Sequence, residues 1–159
     1  VRRLVGSEMC IRDRIEGGWI VQTEEAPIID WSMAKTVTEK KVTREEIDSM
    51  KFAVRVCEQV KSNAIVMVQG LATVGIGPGQ TSRVEAVRIA ARRAGERADG
   101  CVLASDAFFP FADGLEQAAA AGAASIVQPG GSIRDQEVID AANRLGVSML
   151  FTGHRLFRH

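Results

Sequence analysis

Short apolar runs alternate with amphipathic segments of helical length along most of this chain, and this alternation restricts the possible folds more than any other feature. The runs are rich in β-branched residues and are bounded by glycine or polar residues, as strands are. The longer segments carry apolar residues at helical spacing. Alternating strands and helices predict an α/β domain with a mainly parallel sheet and helices on both faces. We predict strands at 17–22, 63–68, 73–77, 101–105, 124–128 and 147–152, a connector or edge strand at 34–42, and helices at 43–60, 82–97, 114–121 and 135–145.

Two of the predicted helices begin with a capping-box pattern. Thr43 stands three residues before Glu46, and Ser82 stands three residues before Glu85. In this pattern each side chain binds a backbone N–H that the first helical turn leaves without a partner. The apolar residues that follow predict the buried faces, which are Ile47, Met50, Val54 and Cys57 in the first helix and Val84, Val87, Ala91 and Ala94 in the second.

The composition excludes several classes of protein. Lys and Arg number 20 in the 159 residues, as do Asp and Glu, so no overall positive field favours nucleic acid or a membrane surface. No apolar run approaches the roughly 18 residues of a membrane-spanning helix. The three cysteines are far apart, which predicts free thiols in a reducing cytoplasm. Both histidines lie near the end of the chain, which argues against a histidine-based metal site.

Residues 1–14 do not fit the pattern of the rest. This segment, VRRLVGSEMCIRDR, has neither helical nor strand periodicity and carries several arginines. A disordered basic tail is one interpretation, and an arm that binds RNA is another. A third fits better, because VGSEMCIRDR resembles the translation of sequencing-adapter DNA at the end of a truncated read. We therefore expect residues 1–14 to be non-native or disordered, and the natural chain to be longer at its N-terminus.

Four loops follow predicted strands, and in α/β sheets the loops at the carboxyl ends of strands form the binding sites. The glycine loop has Gly75, Gly77 and Gly79 before a helix, where backbone N–H groups can hold an anion; a tight turn capped by Ser82 is the simpler explanation. Arg83 lies in the first turn of that helix, where a cation opposes the helix dipole, and this favours a functional role slightly. The four loops are GPGQTSR, DAFFPFAD, PGGSIRDQ and GHRLFRH.

The other three loops allow two interpretations each. Asp113 stands three residues before Glu116, so an N-cap is its default role, and Asp106 could cap a turn or bind a cation. The phenylalanines could plug the end of the sheet or form an aromatic wall for a flat heterocycle. In the third loop, capping by Ser132 or Asp135 is about as plausible as function. The last seven residues are either a loose basic tail, which the residues alone favour, or a docked segment.

Taken together, five motifs in order and in register resemble the C-terminal part of the AICAR transformylase/IMP cyclohydrolase family of purine biosynthesis. The resemblance runs from about residue 17 to residue 159. It implies a cytidine-deaminase-like α/β fold without the deaminase zinc, truncated at its N-terminus, and a homodimer in the full-length enzyme. It also implies transfer of a formyl group from 10-formyltetrahydrofolate to AICAR. The motifs are KSNAIV, VGIGPGQTSRVEAVRIA, ASDAFFPFADG, IVQPGGSIRDQEVIDAAN and FTGHRLFRH.

The resemblance assigns roles to individual residues. Asn63 matches the active-site asparagine that contacts the carboxamide region and the reacting groups. Arg83 matches a substrate-contacting arginine, and Phe108 an aromatic wall of the pocket. Asp113 matches the acid that contacts the folate pterin. Arg155 and His159 match a C-terminal pair near the nucleotide phosphate, and the family's monovalent cation, with potassium as the candidate, would lie near Ser62, Asp106 and Leu156.

One departure from the family bears on activity. The family's proton transfer is assigned to a Lys-His pair upstream, whereas the lysines of this sequence, at 35, 40, 41, 51 and 61, are not adjacent to a histidine. A smaller departure is Ala112, where relatives commonly carry arginine. We therefore expect the 159-residue chain to be inactive alone. Two alternatives remain, a nucleotide-binding module without catalysis and a deaminase-like nucleoside enzyme, but the H-x-E and P-C-x-x-C signatures of deaminases are missing.

Overall fold

A mixed α/β fold with one six-stranded sheet and four helices makes up most of the computed structural model, which describes residues 10–23 and 29–159. The strands are β1 (Cys10–Ile15), β2 (Gly18–Thr23), β3 (Lys35–Thr36), β4 (Ile65–Gln69), β5 (Ala72–Gly77), β6 (Val102–Ser105), β7 (Ser125–Gln128) and β8 (Ser148–Phe151); the helices are α1 (Arg44–Cys57), α2 (Arg83–Ala94), α3 (Ala112–Ala120) and α4 (Asp135–Leu145). A 3₁₀ turn, Gly95–Ala98, follows α2. The predicted elements are therefore present, with bounds shifted by a few residues.

The sheet is mixed, and the prediction of a mainly parallel sheet was wrong. The strand order is β3-β8-β7-β6-β4-β5, in which β6, β7 and β8 are parallel and the other three pairings are antiparallel. The reason lies between β4 and β5, where Gly70 and Leu71 form a turn with Gly70 at φ 56°. Two residues can join antiparallel neighbours but are too few for the crossover that parallel neighbours need.

The directions of the strands bring distant segments to one edge of the sheet. Because β5 and β6 both run antiparallel to β4, their carboxyl ends lie beside the start of β4, and Ile65 pairs with both Gly77 and Ser105. The carboxyl ends of β7 and β8 lie at the same edge, since these strands are parallel to β6. All four predicted loops and residues 62–64 therefore meet there.

Helices cover both faces of the sheet, as predicted. Alternate residues of β4 point to opposite faces, so Ile65 and Met67 pack beneath α2, α3 and α4 while Val66 and Val68 pack beneath α1. Leu156, near the end of the chain, belongs to the α1 side. The segment that contains it therefore docks on the domain, and the loose-tail interpretation was wrong.

Helix α2 lies against β5 through a face that only partly matches the prediction, in which Val87 and Ala94 are buried as expected. Its buried residues include Ala86 and Ala90, whereas Val84 and Ala91 are only half-buried. A Cβ at Gly75 would lie 2.1 Å from the Ala90 carbonyl oxygen, and one at Gly77 would lie 1.9 Å from that of Ala86. These two glycines thus allow the helix backbone to approach the strand, and the helix presents its small residues to them.

Residues 10–14, which lack a strand pattern, nevertheless form most of β1. This strand pairs with β2 in an antiparallel hairpin, which turns at Gly17 with φ 79°. Backbone pairing does not depend on side-chain periodicity, which is why the sequence pattern missed it. Residues 1–9 lie outside the described residues, and the adapter origin of residues 1–14 stays a prediction.

The described helices include no candidate for crossing a bilayer. The longest of them, α1, has 14 residues, and none combines the length and the hydropathy that a span requires.

Candidate active site

A cavity of about 430 Å³ opens at the edge of the sheet where the four loops meet. It is bounded by the starts of β4, α2 and α3 and by the C-terminal segment. Five of the residues that the sequence singled out lie in its wall, although they are up to 92 positions apart in the chain. They are Asn63, Arg83, Phe108, Asp113 and Arg155.

Asn63 and Arg83 are joined by a hydrogen bond in the floor of this cavity. Arg83 Nη2 donates to Asn63 Oδ1 at 2.9 Å, and Asn63 Nδ2 donates to the Gln80 carbonyl oxygen at 2.8 Å. A guanidinium only donates and a carbonyl only accepts, so the two contacts fix which end of the Asn63 amide faces which neighbour. The amide is therefore held in one orientation at the cavity.

Most of the Arg83 guanidinium is engaged inside the protein. The residue is 8% exposed, and it donates to Asp106 Oδ1, to Ser105 Oγ at 3.0 Å and to the Phe108 carbonyl oxygen at 3.1 Å. Counted with the bond to Asn63, four of its five N–H groups have acceptors among the described residues. Arg83 thus organises the wall of the cavity, and contact with a ligand would be an addition to this network.

Asp106 is fully buried and belongs to the same hydrogen-bond network through its pairing with Arg83. One carboxylate oxygen accepts from Arg83, while the other, Oδ2, is buried with no hydrogen-bond partner among the described residues. An unsatisfied buried carboxylate oxygen is costly, so this atom marks a place where an additional donor or a cation would be stabilising. Both predicted alternatives for Asp106, a turn cap and a cation ligand, omitted its pairing with Arg83.

The aromatic loop divides its side chains between the core and the cavity. Phe109 is fully buried beneath α3 and α4, whereas Phe108 is half-buried and Phe111 is 48% exposed, and all three contribute to the cavity wall. Pro110 lies between them on the surface. Of the two interpretations of this loop, the plug thus describes Phe109, and the aromatic wall describes Phe108 and Phe111.

Asp113 is not the N-cap of α3, which corrects the prediction. The helix begins at Ala112 with Phe111 as its N-cap, and Asp113 falls in the first turn, where its Oδ1 accepts from the Gly114 N–H at 2.7 Å. The Asp113 side chain therefore binds the next N–H within the first turn and not an N–H two or three residues on, as an N-cap side chain would. Asp113 remains exposed at the cavity, where the N-terminal end of the helix stabilises its charge.

The C-terminal segment forms one side of the cavity. Leu156 N–H donates to the Asp106 carbonyl oxygen at 2.8 Å, and Ser62 N–H donates to the Arg158 carbonyl oxygen at 2.8 Å. These bonds place the Arg155 guanidinium over the Phe108 ring, 4.9 Å from its centroid. His159 does not line the cavity but packs on Phe157, which does, with ring centroids 5.6 Å apart.

The segments that contain Ser62, Asp106 and Leu156 are joined by hydrogen bonds, and the cation site at these residues stays a prediction. Ser62 Oγ accepts from the Arg158 N–H at 3.0 Å, and the backbone bonds of Leu156 and Arg158 join all three segments. Within residues 10–23 and 29–159, no cluster of three His, Cys, Asp or Glu side chains could hold a metal ion. The unpartnered Asp106 Oδ2 is a hard oxygen donor of the type that alkali and alkaline-earth cations prefer.

Comparison with known proteins identifies the family. Residues 4–93 match the family described as AICARFT/IMPCHase bienzyme. The chain belongs to this family. It is 53% identical over 146 residues to the bifunctional purine biosynthesis protein PurH of Acetivibrio thermocellus, which covers 92% of this chain and 28% of that protein. It is 52% identical over 155 residues to PurH of Parvibaculum lavamentivorans, covering 91% of this chain and 29% of the relative.

This AICARFT/IMPCHase chain therefore spans less than a third of the length of the curated relatives that it matches. Among solved structures, Acinetobacter baumannii RibD, form 1, matches with a TM-score of 0.47 and 17% identity, over 66% of this chain and 33% of the RibD chain.

Phe157 and Arg134 are among the side chains at the cavity of this AICARFT/IMPCHase chain that the sequence did not predict as site residues. Phe157 lines it directly, and the Arg134 guanidinium lies 4.6 Å from the centroid of the Phe111 ring. The sequence feature that could have identified them is the presence of a charged or aromatic side chain in a loop predicted to lie at this edge of the sheet. Arg134 is also the N-cap of α4, so the predicted capping by Ser132 or Asp135 was wrong. Ser132 Oγ accepts from the Arg134 N–H instead, and Asp135 Oδ2 accepts from the Gly131 N–H.

The glycine loop is less available to an anion than the sequence predicted. The Gly79 N–H donates to the Lys61 carbonyl oxygen at 2.6 Å, and the Gln80 N–H donates to that of Asn63 at 3.2 Å. Ser82 caps α2 through the Glu85 N–H at 3.3 Å, which is one of the two bonds of the predicted capping box. In this AICARFT/IMPCHase chain the loop thus holds Asn63 in place, and Arg155 is the cation at the cavity mouth that an anionic ligand would meet.

Proposed function

We propose that this chain forms part of an AICAR transformylase site in purine biosynthesis, in which a formyl group passes from 10-formyltetrahydrofolate to the 5-amino group of AICAR. Membership of the AICARFT/IMPCHase family supports the pathway, and relatives at 52–53% identity are named bifunctional purine biosynthesis proteins. The observation that carries the proposal is the convergence of Asn63, Arg83, Phe108, Asp113 and Arg155 on one cavity.

The geometry supports a division of roles among these residues. Phe108, with Arg155 above its ring, offers a flat apolar surface beside a cation, which suits an aromatic ring that carries a phosphate. The oriented Asn63 amide suits a carboxamide, since both present one donor end and one acceptor end. Asp113, exposed at the other side, is placed to accept N–H groups of a pterin. His159, behind Phe157, would support the phosphate side.

The remaining expectations extend this proposal to the whole protein. The fold would be one of two cytidine-deaminase-like halves of a transformylase domain, and the enzyme would be a cytoplasmic homodimer. A monovalent cation would be held by Ser62, Asp106 and Leu156, where it would neutralise the unpartnered Asp106 oxygen and stabilise the joint between the three segments. Its test is the melting temperature in potassium chloride compared with choline chloride at equal ionic strength.

The 159-residue chain should bind AICAR without turning it over. The amine of AICAR must lose a proton during formyl transfer, and a general base near neutral pKa is the usual means. The described wall of the cavity includes no lysine or histidine, and Asp113 is its one carboxylate. Formation of tetrahydrofolate from 10-formyltetrahydrofolate and AICAR by the purified chain, well above the buffer rate, would contradict this part of the proposal.

Calorimetric titration of the purified chain with AICAR tests the binding site. Arg155→Ala should weaken AICAR binding by roughly 10- to 100-fold, the loss expected for a charge-assisted hydrogen bond to a phosphate. Arg144→Ala is the matched control, because Arg144 is an exposed arginine paired with Glu116 at 3.0 Å and it does not line the cavity. Equal affinities of the two variants would count against the assigned site.

A nucleotide-binding module without catalysis is the second candidate, favoured by the same composition of the cavity wall. The DNA on the 5′ side of the first codon distinguishes the two. An in-frame Lys-His motif there would identify a transformylase, and a family-like sequence that has lost the pair would identify the module.

A further inference from the structure

Gln128 is a buried amide that reaches from the sheet to the aromatic loop. It is the last residue of β7 and is 1% exposed. Its Oε1 accepts from the Phe109 N–H at 2.7 Å, and its Nε2 donates to Met149 Sδ at 3.1 Å. Each end of the amide thus has a partner, one in the loop and one on the neighbouring strand β8.

The residue that Gln128 binds is the one phenylalanine of the loop that points into the core. The Phe109 ring is fully buried, and it lies against Gly114 so closely that a Cβ on that glycine would be 2.7 Å from Phe109 Cδ1. With this ring turned inward, the preceding residue, Phe108, and Phe111, two residues further along the chain, line the cavity. The position of Phe109 therefore determines where the wall of the cavity lies.

Two further buried side chains hold the same turn. Ser105 Oγ donates to the Ala107 carbonyl oxygen at 2.6 Å, and Arg83 Nε donates to that of Phe108 at 3.1 Å. Ser105 belongs to β6, which directly precedes the loop in the chain. Arg83 belongs to α2 and is already part of the cavity floor. Gln128 is the anchor supplied by β7, and it acts on the loop from the side away from the cavity.

We propose that Gln128 is a positioning residue for the cavity: by holding the Phe109 N–H it orders the aromatic wall before a ligand arrives. The proposal rests on the proposed function only for the choice of AICAR as the probe. A wall that is ordered in advance loses less conformational entropy on binding, so affinity should depend on Gln128 although Gln128 does not line the cavity.

The test compares Gln128→Met with Thr38→Val. Methionine has a similar volume, but it replaces the amide oxygen that Phe109 binds with a thioether sulfur, which is only a weak acceptor. Thr38 is 3% exposed, and its Oγ1 accepts from the Met149 N–H at 2.8 Å, so Thr38→Val also removes a buried hydrogen bond at Met149 but leaves the loop alone. AICAR affinity is measured by calorimetry, and the order of the wall is measured by fluorine NMR of 4-fluorophenylalanine-labelled protein, with resonances assigned through Phe108→Leu and Phe111→Leu.

We expect both variants to lose stability, but only Gln128→Met to broaden or split the Phe108 and Phe111 resonances and to bind AICAR about 10-fold more weakly. If Gln128→Met does not fold, Gln128→Glu at pH 5.5 is used instead. A buried, protonated carboxyl keeps an acceptor for the Phe109 N–H, so this variant should give resonances as sharp as those of the unmodified chain. Unchanged resonances in Gln128→Met, or disturbed resonances in Gln128→Glu, would overturn the proposal. Should the unmodified chain not bind AICAR, the proposed function fails, and the fluorine spectra still decide the role of Gln128.

Discussion

Arg83 and Asp106 form an ion pair whose side chains are 7% and 0% exposed, and this pair joins the start of α2 to the end of β6. It stands at the centre of the cavity floor, because the same guanidinium also holds Asn63 and the Phe108 carbonyl. The cation in the first turn of a helix, unfavourable by itself, is thus compensated by a buried carboxylate.

Removal of one partner of this pair should be strongly destabilising. Asp106→Ala leaves the Arg83 charge buried without its partner, and we expect a loss of roughly 3–5 kcal/mol in the free energy of unfolding. The control is Asp48→Ala, which breaks an exposed pair with Lys51 at 3.7 Å and should cost at most about 1 kcal/mol. Urea unfolding measures both, and equal losses would show that the buried pair has no special role.

Gly114→Ala should destabilise the protein although alanine favours helices. The new methyl group would lie 2.7 Å from Phe109 Cδ1 inside the core, and overpacking of this kind costs roughly 1–3 kcal/mol. Phe109→Leu in the same chain should recover part of that loss by freeing the space. Gln117→Ala, an exposed position in the same helix, should stay within about 0.5 kcal/mol of the unmodified chain in thermal or urea unfolding.

Glu46 should make stability depend on acid pH. Burial by itself raises its pKa, but hydrogen bonds from Ser125 Oγ and the Thr43 N–H outweigh that effect and leave the pKa below its ordinary value of 4.5. A lowered pKa in the folded state means that the stabilisation is present above pH 4.5 and is lost as the pH falls through the folded pKa.

We therefore expect Glu46→Gln to be less stable than the unmodified chain at pH 7, and the difference to shrink below pH 4. Urea unfolding at a series of pH values measures it. A difference that is constant from pH 7 to pH 3 would exclude a role for the Glu46 charge.

The buried thiols should be inert in the folded protein. Burial raises the pKa of Cys101 to about 11 and raises that of Cys57 well above its ordinary range. At pH 8 the thiolate fraction of Cys101 is then about 100-fold smaller than for a thiol of pKa 9. Iodoacetamide followed by peptide mass spectrometry should label these two cysteines only after denaturation, and rapid labelling of either in buffer would show that its surroundings open readily.

Local structure could be predicted from the sequence because its causes lie within a few residues. The Thr43 and Glu46 capping box forms with both of its bonds, and α4 ends at Gly146 in the left-handed conformation that glycine permits. The apolar runs became strands, because any pairing partner satisfies their backbone groups and buries their side chains.

Strand direction and the exposure of single residues depended on distant neighbours. The pattern of β4 is the same whether it runs parallel or antiparallel, so its antiparallel pairing with β6, which brings Asn63 to the site, does not follow from its own residues. Likewise Gly75 and Gly77 look like an anion loop in the sequence, and only the approach of α2 shows that they make room for its backbone.

The sequence by itself determined most of the elements of this protein, the Thr43 and Ser82 caps and the family, because these depend on residue types at short spacing and on motifs in register. The tertiary structure decided which of the three phenylalanines faces the core, that Arg83 pairs with Asp106, and that the C-terminal segment docks beside Phe108. The physical reason is that burial and pairing are properties of two or more surfaces in contact, and a loop has no preferred side until the surfaces around it are in place.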